Sequence, residues 1–478
     1  MSVDAGNLHG DGDILLLSCY ELGHVPAGIT WPTAFLRRAG FAPKAIDLAI
    51  CELDEVAVRA AKLVAISVPM HTALRLGVPV AQRIRSLNAA AHICFHGLYA
   101  QLNREWLLGN LADSCLGGES EQALVALAQA LARGEAPAAV AAPLLARQDY
   151  PIPDASGLTG NYAELLNNGH SAPAGFAEAT RGCKYTCRHC PVTPVYNGRF
   201  FAVPVENVLQ QVRTQVASGA QHITFGDPDF LNGPRHALRV VKALHAEFPL
   251  LTFDITAKVE HLVNHADLLP QLAECGCLFI VTAVESLSNH VLEILDKGHT
   301  RADVEQALAV TRAAGITLRP SLVAFTPWTT LDDYLELFEF AAANALVGAI
   351  EPVQFTIRLL LPPKSALLEH PQMVPHLREL RAGDFGYRWE HPDSRLDALH
   401  REAVAVAEQG GDDAAVFHAL WSLARSTAGQ APPLPVGATP GPRLSESWYC
   451  CAEPSLELLQ GRGTDSLIAR QPNPSQDV

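Results

Sequence analysis

Cys183, Cys187 and Cys190 stand at C-x3-C-x2-C spacing in the stretch TRGCKYTCRHCP. Three thiolates so spaced can each hold one iron of a 4Fe–4S cluster and leave the fourth iron open. An open iron can be chelated by an amino group and a carboxylate, and a reduced cluster can deliver one electron to the molecule bound there. The competing chemistry is a zinc tetrahedron completed by His189. That histidine lies between two of the cysteines, badly placed to join them on one metal, and no second C-x2-C pair follows at zinc-ribbon spacing. The expected group is the cluster, with Cys183, Cys187 and Cys190 as its ligands.

Such a loop needs a scaffold, and a chain of 478 residues has room for two or three domains. With 35 basic and 50 acidic residues the net charge is -15, which argues against a nucleic-acid backbone or an anionic membrane as the main partner. No apolar run approaches membrane-spanning length, and the start MSVDAGNLHGDGD lacks the basic and apolar regions of a signal peptide. A cytoplasmic protein is expected, its eleven cysteines reduced and free for metals or catalysis.

Apolar runs at 13–20, 63–69, 92–97 and 113–118 alternate with helical patterns such as TALRLGVPVAQRIRSL and SEQALVALAQALARG. Over residues 1–135 this α/β alternation predicts a doubly wound parallel sheet, with any ligand beyond the carboxyl ends of its strands. Residues 136–170, rich in Ala and Pro at their start, read as a linker. From 171 to 365 the alternation resumes and each strand end carries polar residues. These are Gly226, Asp227 and Asp229, then Asp254, Lys258 and Glu260, then Glu285 and Ser286, then Arg319, and finally Gln354 and Arg358. Residues 366–478 read as a mostly helical and irregular tail. It holds a Pro/Gly-rich linker at 429–442 and ends near Cys450-Cys451-Ala452-Glu453-Pro454. A vicinal thiol pair on such an arm can present two sulfurs to a soft centre or resolve a redox intermediate, although packing is the blander role for cysteine. Cys275 and Cys277, flanking Gly276 before a strand, read as buried.

The cysteine motif, followed in order by these strand ends, resembles the radical SAM superfamily. The CCAEP ending is similar to the CUAEP/CCAEP-tail radical SAM proteins and to the radical SAM enzymes of arsinothricin biosynthesis. The resemblance runs from about 13 to 454. It implies a partial (β/α) barrel whose 4Fe–4S cluster binds and reductively cleaves S-adenosylmethionine (SAM). Gly226, Asp227, Glu285, Ser286 and Arg319 would then meet SAM, and Cys450 and Cys451 would be catalytic. The implied enzyme is a transferase that moves the 3-amino-3-carboxypropyl group of SAM to arsenic(III), served by an electron donor such as a flavodoxin or ferredoxin. Other readings are 5′-deoxyadenosyl-radical chemistry, cobalamin-type methyl transfer, and a cluster protein that senses a metal or arsenite. The first segment resembles the cobalamin-binding-type domain of one radical SAM branch, and Gly117 and Gly118 match its glycine pair. Its D-x-H-x-x-G signature is missing, the nearest piece being Glu21-Leu22-Gly23-His24. The fold is implied there, and cobalamin is in doubt.

Overall fold

The structure is a computed structural model that describes residues 8–137, 139, 145–160, 162–380, 383–438 and 440–446. Cys450 and Cys451 lie outside the described residues. The chain forms two compact units that meet in sequence between Tyr162 and Ala163.

The first unit is a parallel sheet of β1 (Ile14–Ser18), β2 (Lys44–Asp47), β3 (Leu63–Ser67), β4 (His92–His96) and β5 (Ser114–Leu116). Its order is β2-β1-β3-β4-β5. β1 (ILLLS) and β3 (LVAIS) are buried along their whole length, as expected of central strands covered on both faces. β2 was not evident in the sequence because it is a four-residue edge strand with an exposed Lys44. One face of the sheet is closed by Ile29 and Leu36 from the helix Ala27–Arg38, with Leu124 and Leu127 from the helix Glu121–Ala132.

The stretch expected as a linker contributes to both units. Tyr150 packs edge-on against Trp31, with ring centroids 5.4 Å apart, and its hydroxyl donates to buried Glu119 at 2.6 Å.

The second unit begins with β6 (Glu164–Asn167) and β7 (His170–Ala177). A short antiparallel pair follows, β8 (Thr180–Gly182) and β9 (Phe200–Ala202), and the three cysteines lie on the loop between them. Next come β10 (His222–Phe225), β11 (Thr252–Thr256), β12 (Cys277–Glu285) and β13 (Thr317–Leu322), all parallel to β7. Pro320 is tolerated within β13 because that strand lies at the sheet's end and has no partner on its outer side. The run 351–365, expected to bring Gln354 and Arg358 near the last strand, is a 3-10 turn (Pro352–Thr356) followed by an extended stretch. It meets the barrel at the Phe325–Arg358 bridge and through Gln354, which accepts from the Leu322 amide at the end of β13.

A hairpin of β14 (Leu377–Leu380) and β15 (Tyr387–Trp389) precedes two helices, Ser394–Glu408 and Asp413–Thr427. The last strand, β16 (Arg443–Leu444), pairs with β6 and completes a seven-stranded sheet in the order β13-β12-β11-β10-β7-β6-β16. No helix among the described residues is long and apolar enough to cross a membrane.

Changing Tyr150→Phe takes one donor from a buried carboxylate. It should destabilise the first unit by about 1–3 kcal/mol, read as a lower urea midpoint for the transition that quenches Trp31 and Trp106.

Candidate active site

The cysteine loop is fixed to the barrel by its backbone and by Arg188. The Arg188 amide donates to Leu295 O at 3.0 Å. Its guanidinium donates to Glu293 O and Ile294 O, carbonyls in the last turn of the helix Asn289–Leu295. The Ser365 hydroxyl donates to Arg188 O from the other side. Within the loop, the Thr193 hydroxyl and the Cys190 amide both donate to Cys187 O.

Cys187 is buried, and Cys183 and Cys190 are half-buried. Burial pushes the Cys183 thiol up to about 11, against the Tyr185 amide that favours the thiolate and with Asp229 adding to the rise. A coordinating metal reverses that preference by taking the thiol deprotonated. Among the described residues no three His, Cys, Asp or Glu side chains converge on one ion. The three sulfurs are instead distributed along one anchored loop, and this donor set fits three irons of a 4Fe–4S cluster.

The end of β12 reaches this loop through a buried ion cluster. Glu285 Oε1 accepts from Lys297 Nζ at 3.1 Å and lies 3.2 Å from His189 Nε2. All three side chains are buried. Burial alone would push the Glu285 carboxyl up, but the Lys297 ammonium and His189 outweigh it and hold it at about 2. The register of β12 against β13 shifts at this point, and Glu285 has φ +64. A left-handed conformation at a non-glycine residue is costly and persists only where its surroundings enforce it. His189 is the residue between the second and third cysteines. The ion cluster therefore ties the strand end directly to the loop.

The other residues expected to meet SAM separate into two groups. Gly226 lies at the carboxyl end of β10, where a Cβ would sit 2.0 Å from Phe176 Cζ, so only glycine fits there. The neighbouring Asp227 accepts from the amides of Ala179 and Thr180 and from the Thr180 hydroxyl. Burial raises its pKa to about 7 despite those donors. Asp227 is thus spent on holding the start of β8. Ser286 follows Glu285, and its hydroxyl accepts from the Ser288 amide at 3.1 Å.

Arg319 lies apart from these residues. It is level with Val281, four positions before Glu285 on β12, or about 13 Å down the strand. Its guanidinium is already engaged by Glu351 at 3.0 Å.

Across the mouth, the side chains of Asp229, Lys258 and Glu260 surround Tyr185. Lys258 Nζ lies 3.4 Å from the centre of the Tyr185 ring and 3.4 Å from Glu260 Oε2. Asp229 pairs with His261 at 2.8 Å. Lys297 and His261 were not singled out from sequence, although Lys297 stands in LDKGHT, directly after the helix that follows Glu285. Cys275 and Cys277 are buried at the opposite end of β12, and burial raises both thiols.

The fit of the amino-terminal crevice to cobalamin turns on the side chains that fill it. Beyond the carboxyl ends of β1 and β3, the Glu21 carboxylate accepts from the Gly28 amide and the Ser67 hydroxyl. A Cβ on Gly28 would sit 1.9 Å from Ser67 Oγ, so the start of the helix rests directly on the end of β3. On the next strands, a Cβ on Gly117 would meet Gln101 Cβ at 2.6 Å. The position where doubly wound sheets take a ligand is thus narrowed by the chain's own side chains at the ends of β1 and β3.

Lys297→Met should leave Glu285 buried without its ammonium partner and with His189 beside it, costing roughly 3–5 kcal/mol. The wild-type pair stabilises the fold above the ordinary carboxyl pKa of 4.5 and loses that contribution as pH falls towards about 2. Melting temperatures between pH 5 and pH 2 should therefore fall more steeply for wild type than for the variant. Incubation with hydroxocobalamin followed by gel filtration should leave the protein without the cofactor's visible absorbance. A retained equivalent per chain would reverse the reading of the amino-terminal crevice.

Residues 178–341 match the family model described as Radical SAM superfamily. Among curated proteins, the chain is 27% identical over 207 residues to the ribosomal protein uS12 methylthiotransferase RimO of Porphyromonas gingivalis. The match covers 37% of this chain and 44% of that protein. It is 25% identical over 176 residues to the bacteriochlorophyllide d C-8(2)-methyltransferase of Chlorobaculum tepidum, covering 34% and 38% of the two chains. In both comparisons the matched part spans less than half of the relative's length.

Two solved structures share the fold. The cobalamin-dependent SAM radical enzyme OxsB, with aqua-cobalamin and SAM bound, aligns with TM-score 0.63 and 17% identity over 83% of this chain and 66% of that one. The radical SAM methyltransferase TsrM from Kitasatospora setae, with cobalamin and a 4Fe–4S cluster bound, aligns with TM-score 0.55 and 18% identity over 69% and 73%. The family model thus falls on the segment that carries the anchored three-cysteine loop and the partial barrel, and the two solved structures share that fold.

Proposed function

We propose that the chain is a radical SAM transferase that moves the 3-amino-3-carboxypropyl group of SAM to trivalent arsenic. The observation that carries this reading is the combination, in one chain, of the C-x3-C-x2-C loop with the terminal pair Cys450 and Cys451. The cluster supplies one electron and an open iron for the amino-carboxylate end of SAM. Cys183, Cys187 and Cys190 hold it, and the anchored Arg188 keeps their loop in place. Lys297 and His189 both engage Glu285 Oε1, so Oε2 is the oxygen offered to a hydroxyl or ammonium group of SAM. Gly226 lets the ligand lie against backbone. Cys450 and Cys451 present the arsenical, since vicinal thiolates are soft ligands for a thiophilic centre.

The balance is neutral. One electron enters as the carbon–sulfur bond breaks, releasing methylthioadenosine. The carbon radical would form a carbon–arsenic bond with arsenite, and the adduct would give up one electron, equal to the one that entered, and one proton to water. The product is a pentavalent arsenic-bearing amino acid.

A second reading is favoured by the names of the relatives, which include methylthiotransferases and a methyltransferase. Under it, SAM is cleaved to 5′-deoxyadenosine or serves as a methyl source, and the acceptor is a different molecule. Anaerobic, cluster-reconstituted protein with SAM, reductant and arsenite should give methylthioadenosine and an arsenic-bearing amino acid by mass spectrometry. Exclusive 5′-deoxyadenosine, unchanged by arsenite, would favour the second reading. Cys183→Ala should lose the cluster's absorbance near 400 nm (roughly, as for any 4Fe–4S protein) and all SAM cleavage.

A further inference from the structure

The chain is acidic as a whole, yet the stretch that carries the cysteine loop is basic. Residues 181–242 hold eight Lys and Arg against three Asp and Glu. Two of those carboxylates, Asp227 and Asp229, are buried, and the third, Glu206, pairs with Arg213. This part of the second unit therefore shows cations to solvent.

Four of them, Lys184, Arg199, Arg235 and Arg239, are exposed. Among the described residues, no carboxylate lies within ion-pair distance of any of the four. Elsewhere exposed arginines such as Arg83, Arg378, Arg388 and Arg395 each have a carboxylate partner. A cation without such a partner is open to one brought by another protein.

The backbone draws the four together around Cys183. Asn232 Oδ1 accepts from the Lys184 amide and Asn232 Nδ2 donates to Gly182 O, each at 3.1 Å. The turn before the helix Pro234–Glu247 thus grips the chain on both sides of that cysteine. A Cβ on Gly182 would sit 2.6 Å from Arg199 O, and one on Gly233 would sit 3.5 Å from Phe200 Cε2. The helix start therefore lies against the residues that follow Arg199. Arg235 is the second residue of this helix, and Arg239 is one turn further along the same face.

We propose that this surface docks an acidic electron-carrier protein of the flavodoxin or ferredoxin class, with Arg199, Arg235 and Arg239 as its main contacts. The proposal rests on the reading of the cysteine loop as a cluster site, since a cluster must be reduced before it can cleave SAM. In the docked complex one electron passes to the cluster and the partner is oxidised by that electron. No bond forms or breaks. Nearby charges dominate because salt screens those beyond about 10 Å at 0.1 M ionic strength. A local basic face can therefore attract an acidic partner although the whole chain carries -15. Four cations on one edge suit a compact protein better than a nucleic acid, whose backbone takes many phosphate contacts.

The test measures binding of a strongly acidic flavodoxin to full-length, cluster-reconstituted protein, alongside SAM cleavage driven by reduced flavodoxin or by dithionite. Binding should weaken about tenfold or more on raising NaCl from about 50 to about 300 mM. Arg199→Glu, Arg235→Glu and Arg239→Glu together should weaken it by a similar factor and slow flavodoxin-driven cleavage. Iron content and dithionite-driven cleavage should stay as in wild type, and Arg235→Lys, which keeps the charge, should bind normally. Should the triple variant fail to fold, the exposed pair Arg235→Glu and Arg239→Glu should still weaken binding by about threefold or more. Binding that ignores salt, or equals wild type in these variants, would overturn the docking face. So would a transfer RNA that binds more tightly than the flavodoxin. Flavodoxin held through these arginines by a protein that cleaves no SAM under dithionite would keep the surface and overturn the proposed reaction.

Discussion

The site depends on one buried ionic contact, that of Glu285 with Lys297 and His189. Taking a carboxylate and an ammonium out of water costs several kcal/mol per ion, and their attraction offsets this only in good geometry. The barrel meets that cost at the end of β12, where the strand shifts register and its last residue turns left-handed. The contact gains position. A strand end of the barrel and the residue between two cluster cysteines become one rigid piece, with a fixed negative charge beside the mouth. Arg188 does the complementary work through backbone carbonyls, so the stretch between Cys187 and Cys190 is held by two adjacent side chains on different partners.

Around this contact, the mouth uses charge economically. Asp227 spends both oxygens on backbone amides below the loop, and Asp229 is engaged by His261. Lys258 lies over Tyr185 within reach of Glu260. Charges that look like ligand contacts in a linear sequence are here mostly committed to one another. Glu285, with Lys297 and His189 on one oxygen, is the charge among them that joins the strand end to the cysteine loop.

Much of this architecture was legible in the sequence. The four apolar runs became β1, β3, β4 and β5; β1, β3 and β4 are central, and central parallel strands must be apolar on both faces. The order of strand-end motifs placed the loop, Gly226 and Glu285 at one mouth, since parallel strands align their carboxyl ends. What stayed hidden was pairing. Nothing in local sequence says that Asp227 turns to the amides of Ala179 and Thr180, or that Arg319 is claimed by Glu351, 32 positions away. β2 was too short and too exposed to stand out. Residues 136–170 looked like a linker because Ala and Pro mark their start, whereas Tyr150 and β6 carry their structure.

The partnership of Glu164 with Ser445 joins residues 281 positions apart in the chain. Contacts of such long sequence separation form late, because loop-closure entropy opposes them until the rest has folded. During synthesis the second unit must therefore wait, with β6 unpaired on its outer side, until residues 440–446 have left the ribosome. Unpaired strand edges are templates for aggregation, so the interval before the tail arrives is the hazardous one for this protein. A chain truncated before residue 440 would keep Cys183, Cys187 and Cys190 and still carry that hazard for its whole lifetime.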